Sequence, residues 1–306
     1  KGNIVHPRAS ACLPGEMQSL PGQPNCKACA YGRFKNTSGS QSCADCPAGS
    51  YTSESTTLVA WAKCSPGKIQ QVEGSVSCAD CPTGKFQSAS GGSVCLACAE
   101  GRFANVIGTQ ECSPCDKGSY QAAPGQAGCE QCPAGRQQEL SGQSFCTNCT
   151  AGKSSAAGAL DCTACLSGEM QRLPGQPNCE ACAFGKFKAT QGTGECVDCG
   201  VGRYTSASTT LIVCADCRAG TFQNASAQSS CILCPMGRFQ DLEGNETCIA
   251  CPEGSSASLA GTQECSPCDK GSYQAEPGQA GCEQCPAGKQ QELSGQSFCT
   301  NCTAGK

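Results

Sequence analysis

A C-x2-C doublet recurs along the chain with a basic step of 17 residues, and no other feature limits the fold as much. The 34 cysteines among 306 residues form sixteen doublets and two single cysteines, Cys12 and Cys64. Internal repetition at a fixed short period marks arrays of small units, each too small to bury a core alone. Cysteine at this density marks a disulfide scaffold of the kind found outside the cell.

The departures from the 17-residue step recur as well. An 18-residue step runs from Cys46 to Cys64 and again from Cys199 to Cys217, 153 residues later. Residues 113–153 and 266–306 differ only at Ala123/Glu276 and Arg136/Lys289. The chain therefore reads as a non-repeat segment, 1–11, followed by two super-repeats, 12–153 and 154–306. Each super-repeat holds about nine modules.

Positions are counted here from the second cysteine of each doublet. Glycine stands at +3 in every module, from Gly15 through Gly32 and Gly49 to Gly305. Such regularity predicts a tight turn with positive φ, or a backbone approach that leaves no room for a Cβ. A second glycine, four residues before the next cysteine, marks a second turn (Gly22, Gly39, Gly74, Gly125, Gly175, Gly278). Position +5 is aromatic in ten modules: Phe34, Tyr51, Phe86, Phe103, Tyr120, Phe187, Tyr204, Phe222, Phe239 and Tyr273. These rings read as packing between neighbouring modules. Two turns with a few extended residues between them predict small hairpins and little helix.

Two pairing schemes each account for sixteen bonds. One closes every doublet on itself and strands Cys12 and Cys64. The other joins the second cysteine of a doublet to the first of the next. That second scheme gives Cys12–Cys26, Cys29–Cys43, Cys64–Cys78, Cys81–Cys95, Cys98–Cys112, Cys115–Cys129, Cys132–Cys146 and Cys149–Cys162. It continues with Cys165–Cys179, Cys182–Cys196, Cys199–Cys214, Cys217–Cys231, Cys234–Cys248, Cys251–Cys265, Cys268–Cys282 and Cys285–Cys299. It is favoured because tight C-x2-C disulfides are strained and redox-active, and because Ala9 then stands where a cysteine would lack a partner. Cys46 and Cys302 are left over, free or bonded to another chain. Cys46 loses its partner because Trp61 replaces a cysteine whose counterpart is Cys214. The Trp61 ring is expected to cover the gap. Each closed loop contributes about 3 kcal/mol by loss of chain entropy, which a module with one large ring needs in order to stay ordered.

The strings CPAGSY (46–51), CPTGKF (81–86) and CPMGRF (234–239), each followed by a cysteine farther on, resemble the ephrin-receptor-like cysteine-rich repeat. They are also similar to the first sub-module of tumour-necrosis-factor-receptor cysteine-rich domains. The second sub-module of those domains, with its crossed disulfides, is missing here, so their ligand recognition does not transfer. The resemblance covers residues 12–306. It implies an extracellular, disulfide-bonded rod.

The expected fold is thus a small disulfide-rich linear solenoid of hairpin and turn modules, with no large globular core. At two strand widths per module, its length is on the order of 170 Å.

Zinc is the rival reading of the cysteines, since C-x2-C-x13-C-x2-C approaches four-thiolate spacing. It needs a reducing compartment, and the unbroken tandem repeat and five N-x-S/T sequons oppose it. The sequons are Asn36, Asn148, Asn224, Asn245 and Asn301. Asn36, Asn224 and Asn245 fall in expected loops. Asn148 and Asn301 lie inside doublets with cysteine as the middle residue, where oxidation competes with glycosylation.

Catalysis finds no footing. The single histidine, His6, precedes the repeat, and Glu111, Glu264, Asp116 and Asp269 recur with the module as solvated surface. No cofactor or metal is expected. A net charge of −4 without a basic run argues against nucleic acid, and no stretch is apolar enough to span a membrane. No signal peptide is visible, so one has been removed or the chain is a fragment. The expected role is a structural extracellular protein that associates with copies of itself into a filament, flagellar hair, sheath or surface coat, and that carries N-glycans. The alternative is a receptor or adhesin ectodomain stalk that binds a protein ligand.

Overall fold

In the computed structural model the described residues are 11–303, apart from 21, 22, 24, 40, 57 and 208–210. His6, Gly22 and Gly305 lie outside them. The described chain contains two-residue strands and turns, without helix. Each strand at +4/+5 pairs antiparallel with the two residues inside the next doublet. Lys85–Phe86 pairs with Leu96–Ala97, for example, in the register Phe86↔Leu96. Every two-stranded sheet has this form. Isolated hairpins of this size are not stable in water, so the disulfides and the neighbouring modules must hold them.

The turn into each hairpin explains the glycine at +3. The N–H of Ser50 donates to the carbonyl of Pro47 at 3.1 Å, closing a four-residue turn with Gly49 as its third residue. Gly49 has φ 81°, the left-handed value that a type II turn requires there. A Cβ on Gly49 would also collide with the carbonyl oxygen of Gly91, two modules further on. Both expected causes act at once.

The same glycines anchor the ladder between modules. Gly49 N–H donates to Gln70 O at 2.7 Å, and Gly74 N–H returns to Cys46 O at 2.9 Å. Thr52 N–H reaches Ser75 O at 3.3 Å. The pattern repeats in the second half, where Gly202 N–H donates to Gln223 O at 2.7 Å and Ala227 N–H to Cys199 O at 2.8 Å. Ala227 holds φ 56° at a position where most modules have glycine. A left-handed residue with a Cβ is disfavoured by roughly 1–2 kcal/mol.

Sixteen disulfides join the second cysteine of one doublet to the first of the next, from Cys12–Cys26 to Cys285–Cys299. The separation is 14 residues except at Cys149–Cys162 (13) and Cys199–Cys214 (15). Within each unit these sulfurs make up most of the buried core. Cys64, Cys81, Cys98 and Cys115 are fully buried, together with the side chain at +6 of many modules. The contacts divide the chain into two compact units, Lys1–Asn148 with Ala156–Asp161, and Cys149–Ser155 with Cys162–Lys306.

Candidate functional site

Ten modules carry glutamine at +6, and this position, rather than the aromatic one, is the inward-facing register. Gln240 shows how it works. Its Nε2 donates to Thr247 O at 2.7 Å and its Oε1 accepts from Leu242 N–H at 3.1 Å, so one buried amide folds the loop. Lys35 and Lys188 replace it in one module of each copy. The ammonium group of Lys188 donates to the carbonyls of Glu169 (2.9 Å) and Gly192 (2.6 Å). Lys35 does the same with Glu16 and Gly39. Thr52 and Thr205, both wholly buried, hold the position one module later, and their hydroxyls donate back to the carbonyls of Arg33 and Lys186 in the preceding module. A hydrophobicity pattern does not reveal this register, because its residues are polar. The recurrence of glutamine at +6 was the available signal.

The +5 aromatics lie half-buried on the outer side of the hairpins. Phe86 packs against Cys98, Ala104 and Cys112 of the next module. It floors an open groove of about 830 Å³ whose rim includes Leu96, Arg102 and Glu111. Arg102 Nη1 donates to Cys112 O at 2.9 Å and stands 4.0 Å from Glu111. The corresponding groove of the second copy, about 610 Å³, is lined by Phe239, Asp241, Glu264 and Cys265. Phe239, Glu264 and Cys265 are each displaced by 153 residues from Phe86, Glu111 and Cys112. Ser255 occupies the place of Arg102, which leaves the second groove acidic.

Trp61 occupies the equivalent space beside Phe34. The two rings meet edge-on with centroids 4.5 Å apart and planes at 66°, a favourable aromatic arrangement. Trp61 itself is 40% exposed. Cys46 is a free, fully buried thiol whose sulfur lies 3.7 Å from Thr52 Oγ1. Cys302 is also free, and partly exposed.

The remaining polar groups are surface features. Cross-strand ion pairs such as Arg33–Asp45 (2.8 Å) and Arg203–Asp216 (2.7 Å) stand in solvent and contribute at most about 1 kcal/mol each. Tyr120 donates to Glu130 Oε2 at 3.0 Å and Tyr273 to Glu283 Oε2 at 2.9 Å. Accepting this bond stabilises the protonated phenol, which raises both tyrosines above their ordinary pKa. Among the described residues no three His, Cys, Asp or Glu side chains converge as metal ligands. Nor is any helix there long and apolar enough to cross a membrane. Asn36, Asn148, Asn224 and Asn301 are exposed. Asn245 is half-buried, with its amide donating to Leu242 O at 3.4 Å.

A family model described as tyrosine-protein kinase ephrin type A/B receptor-like matches six stretches: 15–58, 67–110, 101–142, 205–241, 225–261 and 254–292. Together they span about two thirds of the chain. The chain belongs to the ephrin-receptor-like repeat family. Its modules are the non-catalytic, receptor-type repeats of that family. Comparison with curated proteins gives no match. Ephrin-receptor-like repeats bearing sixteen disulfides fit an oxidising setting, extracellular or at the cell surface, and a receptor-like or stalk role.

Proposed function

We propose that the chain is a stiff extracellular structural array, a spacer whose copies associate side by side into a filament or surface coat. One observation carries the reading. Within each unit, hairpin after hairpin is closed by a disulfide, the one at Cys46 excepted, and bonded through its backbone to the next, as at Gly84–Ala104 and Gly202–Gln223. Stability in such an array is a sum over modules and their interfaces, so length can grow without a central core. Heterologous contacts that do not close then yield open fibres. The near-identical segments 113–153 and 266–306 supply the same side chains for such contacts twice along the sequence.

The second reading is a receptor or adhesin stalk. The aromatic-floored grooves at Phe86 and Phe239 favour it, because they offer a protein ligand two seats of similar shape and different charge.

Small-angle scattering over a concentration series tests both. A rod of about 170 Å has a radius of gyration near ~50 Å, whereas a globular chain of this length has ~20 Å. A value near the latter contradicts the spacer. Forward scattering that rises with concentration supports self-association. A flat series leaves the stalk and refutes the filament.

A further inference from the structure

We infer that Asn224 carries an N-linked glycan whose first sugar seats on the groove floored by Phe222. The inference rests on the extracellular reading, since only the secretory route glycosylates a sequon. Asn224-Ala225-Ser226 is the motif, and both Asn224 and Ser226 are exposed.

The local backbone places the asparagine beside the ring. Phe222 ends the strand Thr221–Phe222. The buried Gln223 turns inward, with its Nε2 on Ser230 O at 2.8 Å and its Oε1 accepting Ala225 N–H at 3.1 Å. In extended chain, residues on either side of an inward one share the outer face. Phe222 and Asn224 therefore face outward together. Position +7, which Asn224 occupies, lines the equivalent groove in other modules as Ser88, Ser206 and Asp241.

The groove suits one sugar residue. It measures about 240 Å³ and is lined by Phe222, Pro235, Arg238, Thr247 and Cys248. Phe222 offers an apolar face for the C–H face of a pyranose. Arg238 is held along the groove by its bond from Nη1 to Cys248 O at 3.0 Å, and a guanidinium has further donors for sugar hydroxyls. Asn36 stands at the same register after Phe34, but Trp61 already packs against that ring. The open seat is the one at Phe222.

The modification itself is a group transfer from a lipid-diphosphate-linked oligosaccharide. Asn224 Nδ2 bonds to the anomeric carbon of the first sugar, and the bond from that carbon to the diphosphate oxygen breaks. The diphosphate leaves with the electron pair, and one amide proton passes to a base on the transferase.

The test uses the full chain secreted from a eukaryotic cell line. Glycopeptide mapping reads occupancy, and peptide-N-glycosidase acting on the native protein reads access to the first sugar. The expected result is an occupied Asn224 from which the glycan is released slowly. Phe222→Gln should speed that release by about tenfold, the equivalent of one good ring contact. Glutamine is the native +5 residue at Gln137 and Gln290, so the variant suits the module. Intact Cys217–Cys231 and Cys234–Cys248 links in the same sample verify its fold. A secreted, oxidised chain with Asn224 bare, or equal release rates from both proteins, overturns the inference alone. A chain recovered with most of its thiols free overturns the extracellular reading instead.

Discussion

Gly84→Ala is expected to undo the stacking of its module on those that follow. Gly84 sits at φ +78°, and a Cβ there would strike the carbonyl of Gly125, a backbone atom that cannot swing aside. The residue also bonds through N–H to Ala104 O at 2.8 Å and accepts from Cys98 N–H at 2.9 Å. The left-handed conformation alone costs alanine about 1–2 kcal/mol. The collision brings the total to about 4 kcal/mol or more, in the range of severe single substitutions. Gly15 separates the two effects, because it has φ +84° with its nearest neighbour, Leu58, at an ordinary 3.5 Å from where its Cβ would go. Gly15→Ala should therefore show only the smaller loss. Hydrogen exchange is the suitable measurement, since it resolves modules. Protection across residues 81–125 should fall by roughly three powers of ten in Gly84→Ala, while residues 217–285 stay unchanged. Equal, mild effects of the two substitutions would show that the close approach to Gly125 does not exist.

Trp61→Cys should have the largest effect in the stabilising direction. In the second copy Cys214 stands at the corresponding place and bonds Cys199, with Cα atoms 5.7 Å apart and the same one-residue-longer loop. The strands beside position 61 already keep the matching register, Tyr51↔Ala62 against Tyr204↔Ala215. A new disulfide from Cys46 to the introduced thiol contributes about 3 kcal/mol by the loop-entropy argument. Loss of the Trp61–Phe34 contact takes back about 0.5–1.5 kcal/mol, leaving a gain near ~2 kcal/mol. The free-thiol count should fall from two to one, and local opening in modules 29–64 should slow. A variant that instead titrates with three free thiols would show that the hairpin is not closed as described.

The kind of fold was legible from invariants of spacing, and the module type from the resemblance of strings such as CPTGKF (81–86) to the ephrin-receptor-like repeat. A doublet every 17 residues with glycine at +3 admits few structures other than stapled hairpins. The inner register at +6 was harder to see. Glutamine, lysine, threonine and alanine share no hydrophobic signature there, and Lys35 and Lys188 become inward residues only through backbone carbonyls that the fold supplies. The reach of each module to the next but one, visible at Gly49 and Gly91, is equally silent in a linear motif. Trp61 could be recognised as the residue that displaced a cysteine, but its partner Phe34 belongs to the preceding module and emerges only from the stacking. The grooves arise the same way. Phe86 and Cys112 are 26 residues apart in sequence, and the groove depends on the relative placement of two hairpins.

Covalent closure of the hairpins onto the next doublet, the one at Cys46 excepted, underlies all of these expectations, and peptide mapping under non-reducing conditions addresses it directly. The account predicts cross-linked peptides joining cysteines 13 to 15 residues apart, such as Cys81–Cys95 and Cys199–Cys214, together with two alkylatable thiols at Cys46 and Cys302. Bonds closed within doublets such as Cys95–Cys98, or a chain with most cysteines free and metal released on chelation, would contradict it.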